Sequence, residues 1–200
     1  MARIFNDFRD REDNWVKVFR LPSGEQWFTR SAKLWYGIVD RCKLGGATQV
    51  RRPSYTGCTN DFESFQEFAT WCQQQIGYNC EGYEPDKDLL CPRGVNKSYS
   101  KDTVLFLPKQ LNAMLINSRS SKGECPLGVA FCKERGKFRV TCNTVGERNF
   151  VGRFDTVQEA FYAYKLHKEA AFKEQANKWK AFIDVRAYNA LVNYEILITD

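Results

Sequence analysis

Gly136–Thr156 reads "GKFRVTCNTVGERNFVGRFDT", and its alternation decides the fold of the C-terminal third. Successive side chains of a strand point to opposite faces. Phe138, Val140 and Cys142 therefore share one side, and Lys137, Arg139, Thr141 and Asn143 share the other. Turn signals at Glu134-Arg135-Gly136 and Thr144-Val145-Gly146-Glu147 divide this part of the chain into three strands. Thr156-x-x-Glu159 is a capping box that opens a helix. Val157, Ala160, Phe161, Tyr164, His167, Ala171 and Trp179 mark its apolar side, where His167 is expected to be packed. The last segment, "DVRAYNALVNYEILITD", reads as a short helix and a closing strand. A sheet covered by one helix leaves its second face in water. That face is basic: from Arg119 to Arg153, eight Lys/Arg stand against three Glu, a local net of +5. Such a face suits the DNA major groove, where arginine forks to guanine and Thr or Asn reads other edges. A strand face that serves only solubility has the same composition.

Upstream, the polar run "SRSSKGEC" at 118–125 reads as a linker between residues 1–117 and 126–200. In the first part, Val16, Val18 and Phe19, the turn Pro22-Ser23-Gly24, and Trp27 and Phe28 predict a hairpin. From Ser31, Leu34, Trp35, Ile38 and Val39 recur at helical spacing until Gly45-Gly46. A second helix carries Phe62, Phe65, Phe68, Ala69 and Cys72, with Asn60 or Asp61 as its cap and Gly77 as its stop. Val104–Leu107 reads as a strand. Pro108 then opens a helix that buries Leu111, Met114 and Leu115. The predicted class is α+β: a first module containing a ββα unit, then a three-stranded antiparallel sheet packed on a long helix.

Between these elements lies Glu84–Ser100, "EPDKDLLCPRGVNKSYS", expected as two short strands around the "PRGVN" turn. Asp86 and Asp88, two apart, share one face if the strand is extended. Their carboxylates suit Mg²⁺ or Mn²⁺, which take oxygen ligands, and Asn112 is a candidate third ligand. Hydrolysis of a phosphodiester needs such a metal and a base that activates water. No histidine lies in this region. Lys87 occupies the base's place, and an exposed lysine keeps its proton at neutral pH. The other reading of Asp86, Lys87 and Asp88 is a salt-bridged strand that only supports the fold.

Bulk properties narrow the classes. The 200 residues carry a net charge of +6, a pI near 8.9 and 43% hydrophobic residues, enough for a packed core and consistent with an anionic partner. The first residues lack the apolar core of a secretion signal, and no run of about 18 apolar residues occurs. A cytoplasmic protein without a membrane partner is expected. The eight cysteines have no C-x-x-C pair and only one histidine, His167, accompanies them. No zinc site is therefore expected, and the thiols read as small buried hydrophobes.

Two resemblances extend this reading. Gly128-Val129, Gly136-Lys137-Phe138, Phe150-Val151-Gly152-Arg153-Phe154-Asp155-Thr156, Glu159-Ala160 and Ala163-Tyr164 occur in the order found in the APETALA/ethylene-response-factor type of DNA-binding domain. This segment resembles that family over about fifty residues. The resemblance implies that Lys137, Arg139, Thr141, Asn143, Arg148 and Phe150 face double-stranded DNA. The chain departs from the family on the first strand, where Ala130 and Cys132 replace arginines. From residue 34 onward, "WYGIVDRC", "SYTGCTNDFESFQEFATW", "PDKDLL", "GVNKSYS", "LPKQLNAML" and "YNALVNYEILITD" together resemble phage and bacterial homing endonucleases of the HNH type. That resemblance implies DNA cleavage with Asp86 and Asn112 at metal-ligand places and Lys87 in place of the histidine base. Loss of a general base costs about 10²- to 10⁴-fold in rate. The expectation is a duplex DNA-binding protein with weak metal-dependent nicking, in the host cytoplasm if phage-encoded. The alternative is a catalytically inactive phage accessory protein that reuses this scaffold to inhibit or regulate a host protein.

Overall fold

The computed structural model describes residues 4–115 and 125–199. All of the expected linker except Cys125 lies outside them. The architecture is mixed α+β, and the chain divides into two compact units. One takes the chain up to Cys80 together with Pro85–Leu105; the other takes Glu81–Glu84 and the chain from Phe106 onward. The division thus falls before residue 117. Lys109 donates its amide to the Gly82 carbonyl at 2.8 Å, which ties the segment after residue 106 to residues 81–84.

In the N-terminal unit, strands β1 (Ile4–Phe5), β2 (Val18–Arg20) and β3 (Gln26–Thr29) form a sheet in the order β1-β3-β2. The expected hairpin is β2–β3, closed by Gly24 at φ +84°. Helix α1 (Arg30–Cys42) is capped by Thr29, whose hydroxyl accepts from the Ala32 amide and donates to the Val16 carbonyl. A short helix α2 (Ala47–Arg51) follows, then the pair β4 (Thr59–Asn60) and β6 (Ser98–Tyr99). Helix α3 (Phe65–Gln73) starts later than expected. Its cap is Ser64, which accepts from the Glu67 amide at 3.1 Å. Asn60 instead turns onto the Phe62 amide. Phe62 stays buried by packing on Phe68 and Trp71, with ring centres 5.0 and 5.1 Å away. Ala32, Phe65 and Ala69 pack α1 on α3, with Trp15 and Trp35 at the rim.

A buried polar knot also holds this unit. Asp7 Oδ1 accepts from the Ser31 amide at 2.9 Å and from its hydroxyl at 2.8 Å; Oδ2 accepts from Gln73 at 2.7 Å and from the Tyr78 hydroxyl. The two strands expected around "PRGVN" do not pair with each other. β6 lies parallel to β4, and β5 (Tyr83–Asp86) pairs with β7 (Leu105–Pro108).

In the C-terminal unit, α4 (Lys109–Leu115) buries Leu111 and Met114 as expected, whereas Leu115, expected with them, is half-buried. Strands β8 (Val129–Cys132), β9 (Lys137–Asn143) and β10 (Arg148–Phe154) form an antiparallel sheet in the order β10-β9-β8. Helix α5 (Val157–Trp179) opens with the capping box of Thr156 and Glu159 and packs on all three strands. Its buried stripe is Ala160, Tyr164, Lys168, Phe172 and Ala176. His167 is exposed, against expectation, because the stripe steps by four through Lys168. Lys168 is only 4% exposed. Its ammonium donates to the Asn143 carbonyl at 2.7 Å and lies 5.0 Å from the Phe172 ring centre. Burial pulls its pKa below the ordinary lysine value, with Cys142 opposing that shift.

Helix α6 (Val185–Val192) is the expected short helix. The closing strand does not form. Side chains of α5 hold the tail's backbone instead: Ile196 donates its amide to Glu169 at 2.9 Å, and its carbonyl accepts from Lys165 at 2.9 Å. All eight cysteines are free thiols; only Cys58, Cys72 and Cys142 are fully buried, so burial explains fewer of them than expected. Among the described residues, no helix is long and apolar enough to cross a membrane.

Candidate nucleic-acid interface

The free face of the C-terminal sheet is built by strand parity and one bulge. On β9, Val140 and Cys142 are buried, while Arg139 and Asn143 are exposed. Thr141 lies between the two arms of that alternation, on the side of Arg139 and Asn143. On β10 the register pairs Arg148 with Asn143, Phe150 with Thr141, Gly152 with Val140 and Arg153 with Arg139. Between Phe150 and Gly152 the strand takes two steps for one on β9, so Val151 is the extra residue of a β-bulge. The extra step flips the parity. Arg148, Phe150 and Arg153 all emerge on the face of Arg139, whereas uninterrupted alternation turns Arg153 toward the helix.

Most groups on this face are oriented by a neighbour. Phe150 is 53% exposed. The guanidinium carbons of Arg153 and Arg139 lie 5.0 and 5.9 Å from its ring centre, within cation–π range. Arg148 directs Nε and Nη2 to the Thr141 hydroxyl at 3.4 and 3.2 Å. Lys137 forms an ion pair with Asp155 at 2.8 Å. Among the described residues, Arg139, Arg148 and Arg153 have no carboxylate partner. Three uncompensated guanidiniums and an exposed aromatic ring thus share one surface with Thr141 and Asn143. The structure brings together Lys137, Arg139, Thr141, Asn143, Arg148 and Phe150. Sequence reasoning missed Arg153 as a member. The available signal was Gly152, since glycine inside a strand marks a bulge or close approach.

The central segment is arranged differently from expectation. β5 ends at Asp86, so Asp86 and Asp88 do not share the face of an extended strand. Asp86 ends the strand itself: its Oδ1 accepts the Asp88 amide at 3.0 Å and the Leu89 amide at 2.8 Å. Burial raises the Asp86 carboxyl, with the Asp88 charge adding and the two amides and Lys87 pulling the other way. Lys87 is not the exposed lysine expected but is 6% exposed. Its ammonium lies 5.2 and 5.8 Å from the ring centres of Tyr55 and Tyr99 and 2.7 Å from Asp88 Oδ1. Lys97 binds the same oxygen. Burial works against the charged form of Asp88, but the hydrogen bonds and charges of Lys87 and Lys97 outweigh it and hold its carboxyl below the ordinary value.

Beside this cluster the Cys42 and Cys58 sulfurs are 3.8 Å apart. Burial, reinforced by the Cys58 sulfur, pushes the Cys42 thiol up to about 12, and burial also raises Cys58. Neither is a ready nucleophile.

Mg²⁺ or Mn²⁺ is expected from the sequence on Asp86, Asp88 and Asn112, on the first and last of these also through the homing-endonuclease resemblance. Asp86 and Asp88 each have one oxygen already engaged, which leaves a poor donor set for such an ion. Asp86 Oδ1 is engaged by two amides, Asp88 Oδ1 by two ammonium groups, and Asn112 lies half-buried on α4 in the other unit. Among the described residues, no group of three or more His, Cys, Asp or Glu side chains is placed to hold a metal. No protein-family model, curated protein or solved structure matches this chain.

Proposed function

We propose that this protein binds double-stranded DNA through the free face of β8–β10. The observation that carries the reading is the bulge at Val151, which sets Arg153 beside Arg139 and Phe150 instead of against the helix. The major groove is about 12 Å wide and admits a β-ribbon. Guanidinium forks bind guanine edges or phosphates in pairs of hydrogen bonds, and Thr141 and Asn143 supply shorter-range donors and acceptors. Phe150 offers a ring to thymine methyl groups. The likeness of the motifs to APETALA-type domains and to HNH-type homing endonucleases supports the same partner. Strand cutting is no part of the proposal, because one oxygen of each carboxylate it needs is already engaged.

The test is fluorescence anisotropy of a labelled duplex across a salt series, with the wild type and Arg139→Glu/Arg153→Glu. Wild-type affinity falls with salt at a log–log slope of about −0.9 per phosphate contact. The double variant weakens binding by about a hundredfold or more. Equal affinity of the two proteins overturns the proposal. No duplex binding by the wild type directs attention to the alternative, a non-cutting accessory factor that recognises a host protein. Supercoiled plasmid incubated with Mn²⁺ and with Asp86→Ala tests the nicking expectation separately.

A further inference from the structure

α1 carries Arg41 in its last turn, and the chain turns directly into α2. Gly45, at φ +65°, and Gly46, whose amide donates to the Lys43 carbonyl at 2.9 Å, make that turn. α2 carries Arg51 in its last turn, and Arg52 is its C-cap. Arg41, Arg51 and Arg52 consequently line one cavity of about 380 Å³ within the N-terminal unit, together with Gly37, Asp40 and Thr48.

Three guanidiniums against one carboxylate leave this lining at +2. One oxygen of that carboxylate, Asp40 Oδ2, accepts the Thr48 hydroxyl. Among the described residues, none of the three arginines has an ion-pair partner. Arg41 is fixed from behind: its Nη1 donates to the Tyr99 hydroxyl at 3.4 Å, and its guanidinium carbon lies 5.6 Å from the Tyr55 ring centre. Arg51 spends only Nε, on the Ala47 carbonyl at 3.3 Å. The Gly37 wall carries no side chain. A methyl there stands 3.6 Å from Arg41 Nη1, so the bare glycine keeps that wall open.

Like charges gathered in a concavity repel one another, and an anion between them removes that repulsion. The planar guanidinium fork matches phosphate oxygens, and two or three such forks converging on one point form a phosphate clamp. The volume falls in the range of small-ligand sites, roughly 300–1,000 Å³. We infer that this cavity binds the phosphate group of a nucleotide or of a nucleic-acid strand. The site is separate from the C-terminal sheet and stands whether or not that sheet binds DNA.

The experiment uses the full chain, ¹⁵N-labelled, with the arginine Nε–Hε resonances assigned by Arg51→Gln and Arg52→Gln. Sodium phosphate, ATP and a short single-stranded oligonucleotide are titrated in turn at constant ionic strength. The expected result is a saturable shift of the Arg51 and Arg52 signals with at least one probe. Arg51→Gln/Arg52→Gln, both exposed positions that leave the Arg41–Tyr99 brace intact, weakens that binding about tenfold or more. A response to ATP without the oligonucleotide identifies a free nucleotide, and the reverse identifies a strand. Arg139→Glu/Arg153→Glu leaves the titration unchanged, which separates this site from the sheet. No saturable shift with any probe, or equal affinity of the double arginine variant, overturns the inference.

Discussion

The C-terminal sheet and the N-terminal helical layer are held by different kinds of contact. In the sheet, position follows from counting: a strand alternates, a bulge adds one, and a helix stripe steps by four. In the N-terminal layer, position follows from single side chains that reach far along the sequence. Asp7 gathers Ser31, Gln73 and Tyr78. Gln66 and Thr70 of α3 fix Trp15, the former through both its amide and its carbonyl, the latter through its indole nitrogen. A region of the first kind is sensitive to backbone geometry and spacing. One of the second kind is sensitive to the loss of individual polar groups.

The largest expected effect breaks the counted region. Gly128 has φ +76°, and a Cβ there falls 2.2 Å from a ring carbon of Tyr164. Gly128→Ala combines left-handed backbone strain with a clash against the buried helix face, so it destabilises by about 3 kcal/mol or more. Chemical denaturation and loss of amide-exchange protection in β8–β10 check this; a wild-type midpoint means the sheet tolerates more than its geometry allows.

Next in size is Asp7→Ala. It removes the carboxylate that accepts from the fully buried Tyr78 hydroxyl and from the Ser31 amide and hydroxyl, at a cost of about 3 kcal/mol. Asp7→Asn keeps one acceptor oxygen and loses less. If both variants unfold at the same denaturant concentration, the knot does not depend on hydrogen-bond geometry.

A smaller effect appears in alkali. An unfolded cysteine ionises near about 8.5, whereas Cys42 in the fold stays protonated up to about 12. The folded pKa is raised, so the stabilising contribution is complete below pH ~8.5 and is lost as pH rises from there through the folded value. Urea midpoints of the wild type therefore fall more steeply between about pH 8 and 10 than those of Cys42→Ala. Parallel curves assign the alkaline loss to other groups.

The smallest change is a gain. Gly37 lies inside α1, and its Cβ position makes only ordinary contacts, so Gly37→Ala stabilises by about 0.5–1 kcal/mol. A thermal-unfolding shift downward instead of upward shows that the cavity wall beside Arg41 is more crowded than its distances indicate.

The same contrast explains what was legible. The alternation of Phe138–Asn143 and the Thr156 box identify the sheet, its turns and the start of α5, because those signals lie within a few residues of one another. His167 was misplaced because a lysine occupies the core position, and Lys168 reads as a solvent residue until its ammonium meets the Asn143 carbonyl. The closing strand failed for a related reason: Glu169 and Lys165, about thirty residues upstream, satisfy the tail's backbone. Asp86 and Asp88 matched a metal pattern in type and spacing. What they bind is decided by the turn amides and by Lys97, nine residues after Asp88, which no local pattern reports. Of the seven side chains on the candidate interface, alternation reports Lys137, Arg139, Thr141 and Asn143, and only the family resemblance points to Arg148 and Phe150. Arg153 required the bulge.

That single inserted residue carries an evolutionary consequence. Beyond Val151, which side chains meet solvent depends on whether the number of preceding strand residues is odd or even. Losing one residue there exchanges inside for outside over the rest of β10, while losing two restores it. Descendants of this chain are therefore expected to vary the strand in length only by pairs, or to move the irregularity elsewhere along it.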